Sequence, residues 1–452
     1  MDASAAWTAS RIAAEVRAGA DPVDAVRTAL ARIDAGDDRV GAFATVLREQ
    51  ALAEAQALRS HPGLDSLVLA GVPVAIKDTM PVRGVAPWSD PRRPAEADHP
   101  VVERLRAAGA VVVGTTTASD ASLWPFTDGR APDGSHVVTR NPWDPDRTAG
   151  GSSGGAAAAV AAGFVPVAQG SDSLGSVRIP ASACGLVGVK PGAGVVAPVG
   201  VGRTDWSGLA VHGALATTAA DAALLLSVMA GRPGLAAVDE PPSGLVVAVS
   251  IRPPVLGVRT RRDAIRAVFR LAGTLRRAGS AVERAELRYP LSATTATFAR
   301  WTGAAADDVD EVPPGYRGDP QPRTLRHAAI GRRLRGRIRR SDLDALREAV
   351  EVFFAGRDLL LTPTVATPPP RAAAWSRRPW AANVGESLRF TGGFAGPWNL
   401  VGWPAVSVPA GVDAAGLPIG AQLVARPGQE SLLLAVAALV ERLDPWQRLP
   451  PD

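Results

Sequence analysis

Two residue types in this chain could do chemistry that their neighbours cannot: lysine, because almost none is kept, and serine, because several sit in glycine-rich runs. Of the 49 basic residues only Lys77 and Lys190 are lysines, and the rest are arginines. A guanidinium, with a pKa above about 12, stays protonated, whereas a buried lysine can lose its proton and act as a base. Lys77 closes the apolar run Gly71-Val-Pro-Val-Ala-Ile-Lys77, which favours a poorly solvated amine. Lowering its pKa by about three units needs about 4 kcal/mol of environmental bias. Composition alone favours chance survival in an arginine-biased chain, so position must decide.

The serine-bearing segments are Thr148-Ala-Gly-Gly-Ser-Ser-Gly-Gly155 and, after an alanine-rich stretch, Gly170-Ser-Asp-Ser-Leu-Gly-Ser-Val-Arg-Ile-Pro180. A glycine-serine run that opens a helix can cradle phosphate. Here the Gly-Lys-Ser/Thr string of a P-loop and the glycine spacing of a dinucleotide fingerprint are both missing. A serine nucleophile needs a base. Residues 150–154 fit Gly-x-Ser-x-Gly only formally, with no clear preceding strand, and none of His61, His99, His136, His212 and His327 stands out as a partner. Ser-x-x-Lys does not occur. Cys184, the single cysteine, lies in an apolar run and reads as a buried structural thiol.

These residues sit in an alternating pattern of elements. Residues 8–58 carry helical periodicity and predict two or three amphipathic helices. From 66 to 236, β-rich runs at 67–76, 110–114 and 164–169 alternate with helical ones at 101–108, 154–162 and 218–229. This alternation predicts an α/β layered fold around a sheet. A strand at 245–251, a helix at 261–278 and a proline-broken helical stretch to about 356 follow. Strand signals return at 358–361, 405–408 and 421–424, before a last helix at 430–443. The extended Pro-rich run 363–370 connects elements within one large domain rather than linking two.

Composition narrows the function classes. The chain has 452 residues, 46% of them hydrophobic, and a net charge of only +5, so a nucleic-acid partner does not follow. The basic run 331–340 has no interleaved aromatic residues and reads as the solvated face of a helix. No secretory signal opens the sequence, and the apolar stretch 156–167 is too short to span a bilayer. With one cysteine this predicts a cytoplasmic protein without a membrane partner, a metal or a cofactor. The oligomeric state is open, a homodimer included.

Four ordered motifs now carry a resemblance: Gly-Val-Pro-Val-Ala-Ile-Lys-Asp, Gly-Gly-Ser-Ser-Gly-Gly, Gly-Ser-Asp-x-x-Gly-Ser-Val-Arg-Ile-Pro and Cys-Gly-Leu-Val-Gly-Val-Lys-Pro. They resemble the amidase signature family, strongly over 66–236 and again at 361–364 and 399–411. The resemblance implies a single α/β/α layered domain with a central mixed, twisted sheet flanked by helices. Helices over 1–65 would precede catalytic motifs over 66–236, a variable and largely helical region would fill 237–385, and 386–452 would return to the core. It implies a serine amidase acting on a small-molecule amide. Lys77 would be the base, Ser152 the bridging serine after a cis peptide, and Ser176, 24 residues further on, the acyl-accepting nucleophile. Backbone N–H groups of Ser173, Leu174, Gly175 and Ser176 match its oxyanion hole. Ser171 and Ser153 would support the site, Asp172 and Arg178 would form a structural ion pair, and Lys190 has no assigned step. Trp124, Phe390, Trp398 and Asn399 are candidates for the substrate pocket.

Two departures stand out. Leu174 replaces the first of a usual glycine pair, and a leucine resists positive φ. Thr115-Thr-Thr-Ala-Ser-Asp-Ala-Ser122 replaces the usual Lys-Thr-Asn and Glu-Phe pattern of a loop that borders the family's pocket. The alternatives are a glutaminase of the amidotransferase A type serving a partner, a biosynthetic acyltransferase using the same acyl-enzyme, and a catalytically silent binding relative.

Overall fold

The structure is a computed structural model and describes residues 7–86, 93–130, 136–198, 206, 208–310, 320–337 and 339–451. Short apolar runs pair into one sheet built from β1 (Phe43–Val46), β2 (Pro73–Lys77), β3 (Val111–Thr116), β4 (Val167–Asp172), β5 (Val187–Lys190), β6 (Val211–Ala216), β7 (Val246–Val249), β8 (Ala281–Arg284), β9 (Leu359–Pro363), β10 (Ala405–Val412) and β11 (Pro418–Val424). Their spatial order is β1-β3-β2-β4-β6-β5-β10-β11-β9-β7-β8. The sheet is mixed: β2 runs parallel to β3 and β4, while β6 lies antiparallel to β4 and β5.

Because successive strand residues point to opposite faces, the sheet has two apolar sides. Val74 and Ile76 join one core with the helices Ala9–Arg17, Pro100–Ala107 and Ala219–Ala230, whereas Ala75 joins another with Pro22–Val40, Gly154–Ala161 and Arg178–Cys184. Further along, Leu359 and Leu361 belong to the first core, while Leu360 meets the helices Leu291–Asp310 and Asp344–Phe353. The α/β layered architecture expected from alternation is therefore present. Among the described residues no helix is long and apolar enough to cross a membrane.

Two expectations need correction. The run 67–76 becomes a strand only at Pro73, because turns closed by Ala70 N–H to Leu67 O and Val72 N–H to Leu69 O precede it. Within 8–58 the helices are interrupted by β1. Gly41, at φ 67°, ends the helix Pro22–Val40, and Asp37 then accepts from Ala42 N (2.7 Å) and Phe43 N (3.1 Å), turning the chain into the strand. The edge strand β8 was also not expected.

Helix Gly154–Ala161 enters the site region through a close approach. A Cβ at Gly155 would lie 2.5 Å from the carbonyl oxygens of Ala42 and Thr117, and these are backbone atoms that cannot swing aside. Gly155→Ala should lower unfolding stability by about 2–3 kcal/mol, measured by chemical denaturation; an unchanged midpoint would refute this packing.

Candidate active site

β2 ends at Lys77, whose side chain is fully buried. Its Nζ lies 2.7 Å from Ser152 Oγ and 2.9 Å from Ser171 Oγ. The peptide bond Gly151–Ser152 is cis. Burial pushes the Lys77 amine down to about 7, against the opposing pull of the Asp172 carboxylate. A lysine in this state exchanges protons near neutrality, which no arginine could do.

Ser153 ties the serine loop to the turn after β4. Its N–H donates to Ser176 O (3.1 Å) and its Oγ to Ser171 O (3.2 Å). Ser176 is half-buried, in contrast to the fully covered Lys77 and Ser152. Among the described residues no hydrogen bond joins the Ser152 and Ser176 hydroxyls. The two are brought together through Ser153 and the backbone.

The turn itself is held by a buried ion pair. Asp172 accepts from Arg178 Nε and Nη2, each at 2.9 Å, and Arg178 Nη1 continues to Ala395 O (2.9 Å) and Gln422 Oε1 (2.6 Å). Asn399 clamps both partners, accepting from Arg178 Nη2 (2.7 Å) and donating to Asp172 Oδ1 (3.0 Å). Burial would raise the Asp172 carboxyl, but the charges of Arg178 and Lys190 with the donors around it outweigh burial and hold it well below the usual carboxylate range. The same Oδ1 accepts the Gly175 N–H at 2.7 Å. This corrects the expected oxyanion hole: the Gly175 donor is committed to Asp172, while the N–H groups of Ser173, Leu174 and Ser176 have no acceptor among the described residues.

Leu174 causes no backbone conflict. The positive φ falls on Gly175 (120°), and Leu174 is not among the residues with positive φ. Its side chain packs beside Gly396 and on the aromatic core around Trp301 and Trp398. In the divergent loop, Ala121 and Ser122 do have positive φ, at 50° and 55°. That loop touches the site directly, since Ser119 N–H donates to Ser152 O at 3.3 Å.

The four residues expected at the pocket make the contacts of core side chains. Trp124, Phe390, Trp398 and Asn399 are all buried. Trp124 Nε1 donates to Thr324 Oγ1 (3.2 Å) and Trp398 Nε1 to Phe394 O (3.0 Å), while Phe390 packs with Ile179 and Val365. Lys190 donates to Pro191 O at 2.8 Å. Burial first, and then the Arg178 charge, push its amine down to about 7 as well. Sequence reasoning missed Gln169, whose Oε1 accepts the Lys77 N–H at 3.1 Å. A polar residue inside the apolar strand β4 was the available signal.

The family model described as Amidase matches residues 24–434. The chain belongs to the amidase signature family. It is 37% identical over 439 residues to the "Putative amidase AmiB2" of Mycobacterium tuberculosis, covering 94% of this chain and 93% of that one. It is 31% identical to the A subunit of the glutamyl-tRNA(Gln) amidotransferase of Picosynechococcus sp., over 95% of this chain and 96% of that one. Its fold superposes on the solved structure of 6-aminohexanoate cyclic dimer hydrolase complexed with substrate with a TM-score of 0.86, at 30% identity and 97% coverage of both chains. The mixed eleven-stranded sheet flanked by helices is the architecture of these amidase signature enzymes.

Leaving Asp172 buried without its partner is costly. Arg178→Leu should destabilise the protein by about 3–5 kcal/mol, read from denaturant unfolding; a change below about 1 kcal/mol would contradict the account of this pair.

Proposed function

We propose that this protein hydrolyses a linear carboxamide C–N bond through an acyl-enzyme on Ser176. The observation that carries the reading is the buried Lys77 amine, poised near neutral pH and in hydrogen-bond reach of Ser152 and Ser171. Neutral Lys77 takes the Ser152 proton as Ser152 takes that of Ser176, and Ser176 Oγ attacks the carbonyl carbon. The Ser152–Ser176 hydrogen bond forms when substrate enters, since catalytic hydrogen bonds commonly become well aligned only in the complex. The N–H groups of Ser173, Leu174 and Ser176 receive the developing oxyanion, and each such donor is worth about 3–4 kcal/mol of barrier. The relay returns the proton to the leaving nitrogen as the C–N bond breaks. Water then attacks the ester by the same path and releases the acid.

A second reading, release of ammonia from glutamine for a partner protein, draws support from the likeness to the amidotransferase relative. A glutaminase assay separates the two. Opening of a ring amide would use the same acyl-enzyme, and a cyclic amide belongs in the substrate panel for that reason.

A fluorophosphonate probe should label Ser176 and not Ser176→Ala, with mass spectrometry locating the adduct. Lys77→Ala should slow labelling by about 10⁴-fold, and robust labelling of that variant would sink the lysine-base mechanism. Because the reactive form of Lys77 is the neutral one, the labelling rate should rise as pH passes upward through about 7. A rate that stays flat from pH 5 to 9 would argue against an amine as the base.

A further inference from the structure

Lys77 reaches its serines from the last residue of β2, where pairing with β3 continues at Lys77↔Thr116 but pairing with β4 has stopped. β2 pairs with β4 through Val74↔Val167, Ala75↔Ala168 and Ile76↔Gln169. The next N–H, that of Lys77, is taken by the Gln169 side chain instead (3.1 Å). The Gln169 amide then donates to Gly170 O (2.7 Å) and meets His212 Nδ1 (3.0 Å). Its orientation is not ambiguous: a backbone N–H can only donate and a carbonyl can only accept, so Oε1 faces Lys77 and Nε2 faces both other partners. His212 Nδ1 must therefore accept, and the imidazole proton sits on Nε2.

His212 lies on β6 directly across from Ser171 of β4, the residue whose hydroxyl meets the Lys77 amine. Its ring is buried. It packs edge-on to His99, with ring centroids 5.0 Å apart. His99 is fixed in turn, accepting from Val101 N (3.1 Å) and donating to Pro198 O (3.0 Å).

We propose that Gln169 and His212 are positioning residues for Lys77: His212 fixes the Gln169 amide, and the amide fixes the end of β2 from which the Lys77 side chain departs. The proposal rests on the reading of Lys77 as the base. The acceptor at Nδ1 requires a neutral imidazole. Burial, followed by the charge of His99, pushes His212 down to about 3, so it stays neutral across the working range. The titratable and charged groups facing Lys77 are Asp172 and His212, with Asp78 next in the chain, His99 behind His212, and Arg178 and Lys190 beyond Asp172.

The test is the rate of fluorophosphonate labelling of Ser176 against pH, in the wild type, Lys77→Ala, Gln169→Leu, His212→Leu and His212→Asn. Gln169→Leu and His212→Leu should label about 10- to 100-fold more slowly. Their midpoints should move upward from about 7 as the loosened amine gains solvent. His212→Asn, whose amide oxygen can still accept from Gln169, should return to within about threefold of the wild type. The midpoint is read only from molecules that react, so partial unfolding does not imitate its shift. Unchanged midpoints in Gln169→Leu and His212→Leu, or no rescue by asparagine, would overturn the positioning role while an inert Lys77→Ala leaves the base intact. Normal labelling of Lys77→Ala would remove the underlying reading instead.

Discussion

A primary amine enclosed in protein, with two serine hydroxyls as hydrogen-bond partners, is the constraint around which this structure is organised. The Lys77 side chain has no exposed surface, and Ser152 and Ser171 stand within hydrogen-bond distance of its Nζ. Water would stabilise the ammonium form, and burial removes that water, so the balance between protonated and neutral amine moves to neutral pH. A carboxylate close by would undo this. Asp172 is such a carboxylate, yet its two oxygens are taken up by the Arg178 guanidinium, the Gly175 N–H and the Asn399 amide. The ion pair thus shapes the turn that carries Ser176 and also limits how strongly Asp172 can hold a proton on Lys77.

The scaffold follows from that requirement. The lysine arrives on β2, its hydroxyl partners come from the turn after residue 150 and from β4, and the half-buried Ser176 sits on the turn that follows β4. Neighbouring strands in a sheet hold such groups in place better than loops alone, because each strand is fixed by its ladder and by apolar packing on both faces. The helix Gly154–Ala161 can lie against the sheet only because glycine at 155 lets backbone meet backbone.

Much of this was legible in the sequence, and the residues that were not share a cause. Lys77, Ser152, Ser171 and Ser176 lie in continuous motifs, so their types and order could be read directly. The Asp172–Arg178 pair, six residues apart, was also legible. Gln169 and His212 were not, since what they touch depends on strand register, and His212 looked like one of several scattered histidines. The commitment of the Gly175 N–H to Asp172 is a matter of turn geometry that no residue type announces. The concern over Leu174 dissolved for a similar reason, because Gly175 alone takes the positive φ. β1 was hidden inside a helical pattern, and only the Gly41 turn and the Asp37 cap reveal it.

The scarcity of lysine that first drew attention to Lys77 also makes the central claim directly measurable. With lysine side chains isotopically labelled, the chain gives two signals, from Lys77 and Lys190, and Lys190→Met assigns them. An NMR titration of the Lys77 signal should show loss of the proton with a midpoint near 7. A Lys77 that stays protonated to about pH 10, the range of an ordinary lysine, would contradict the account.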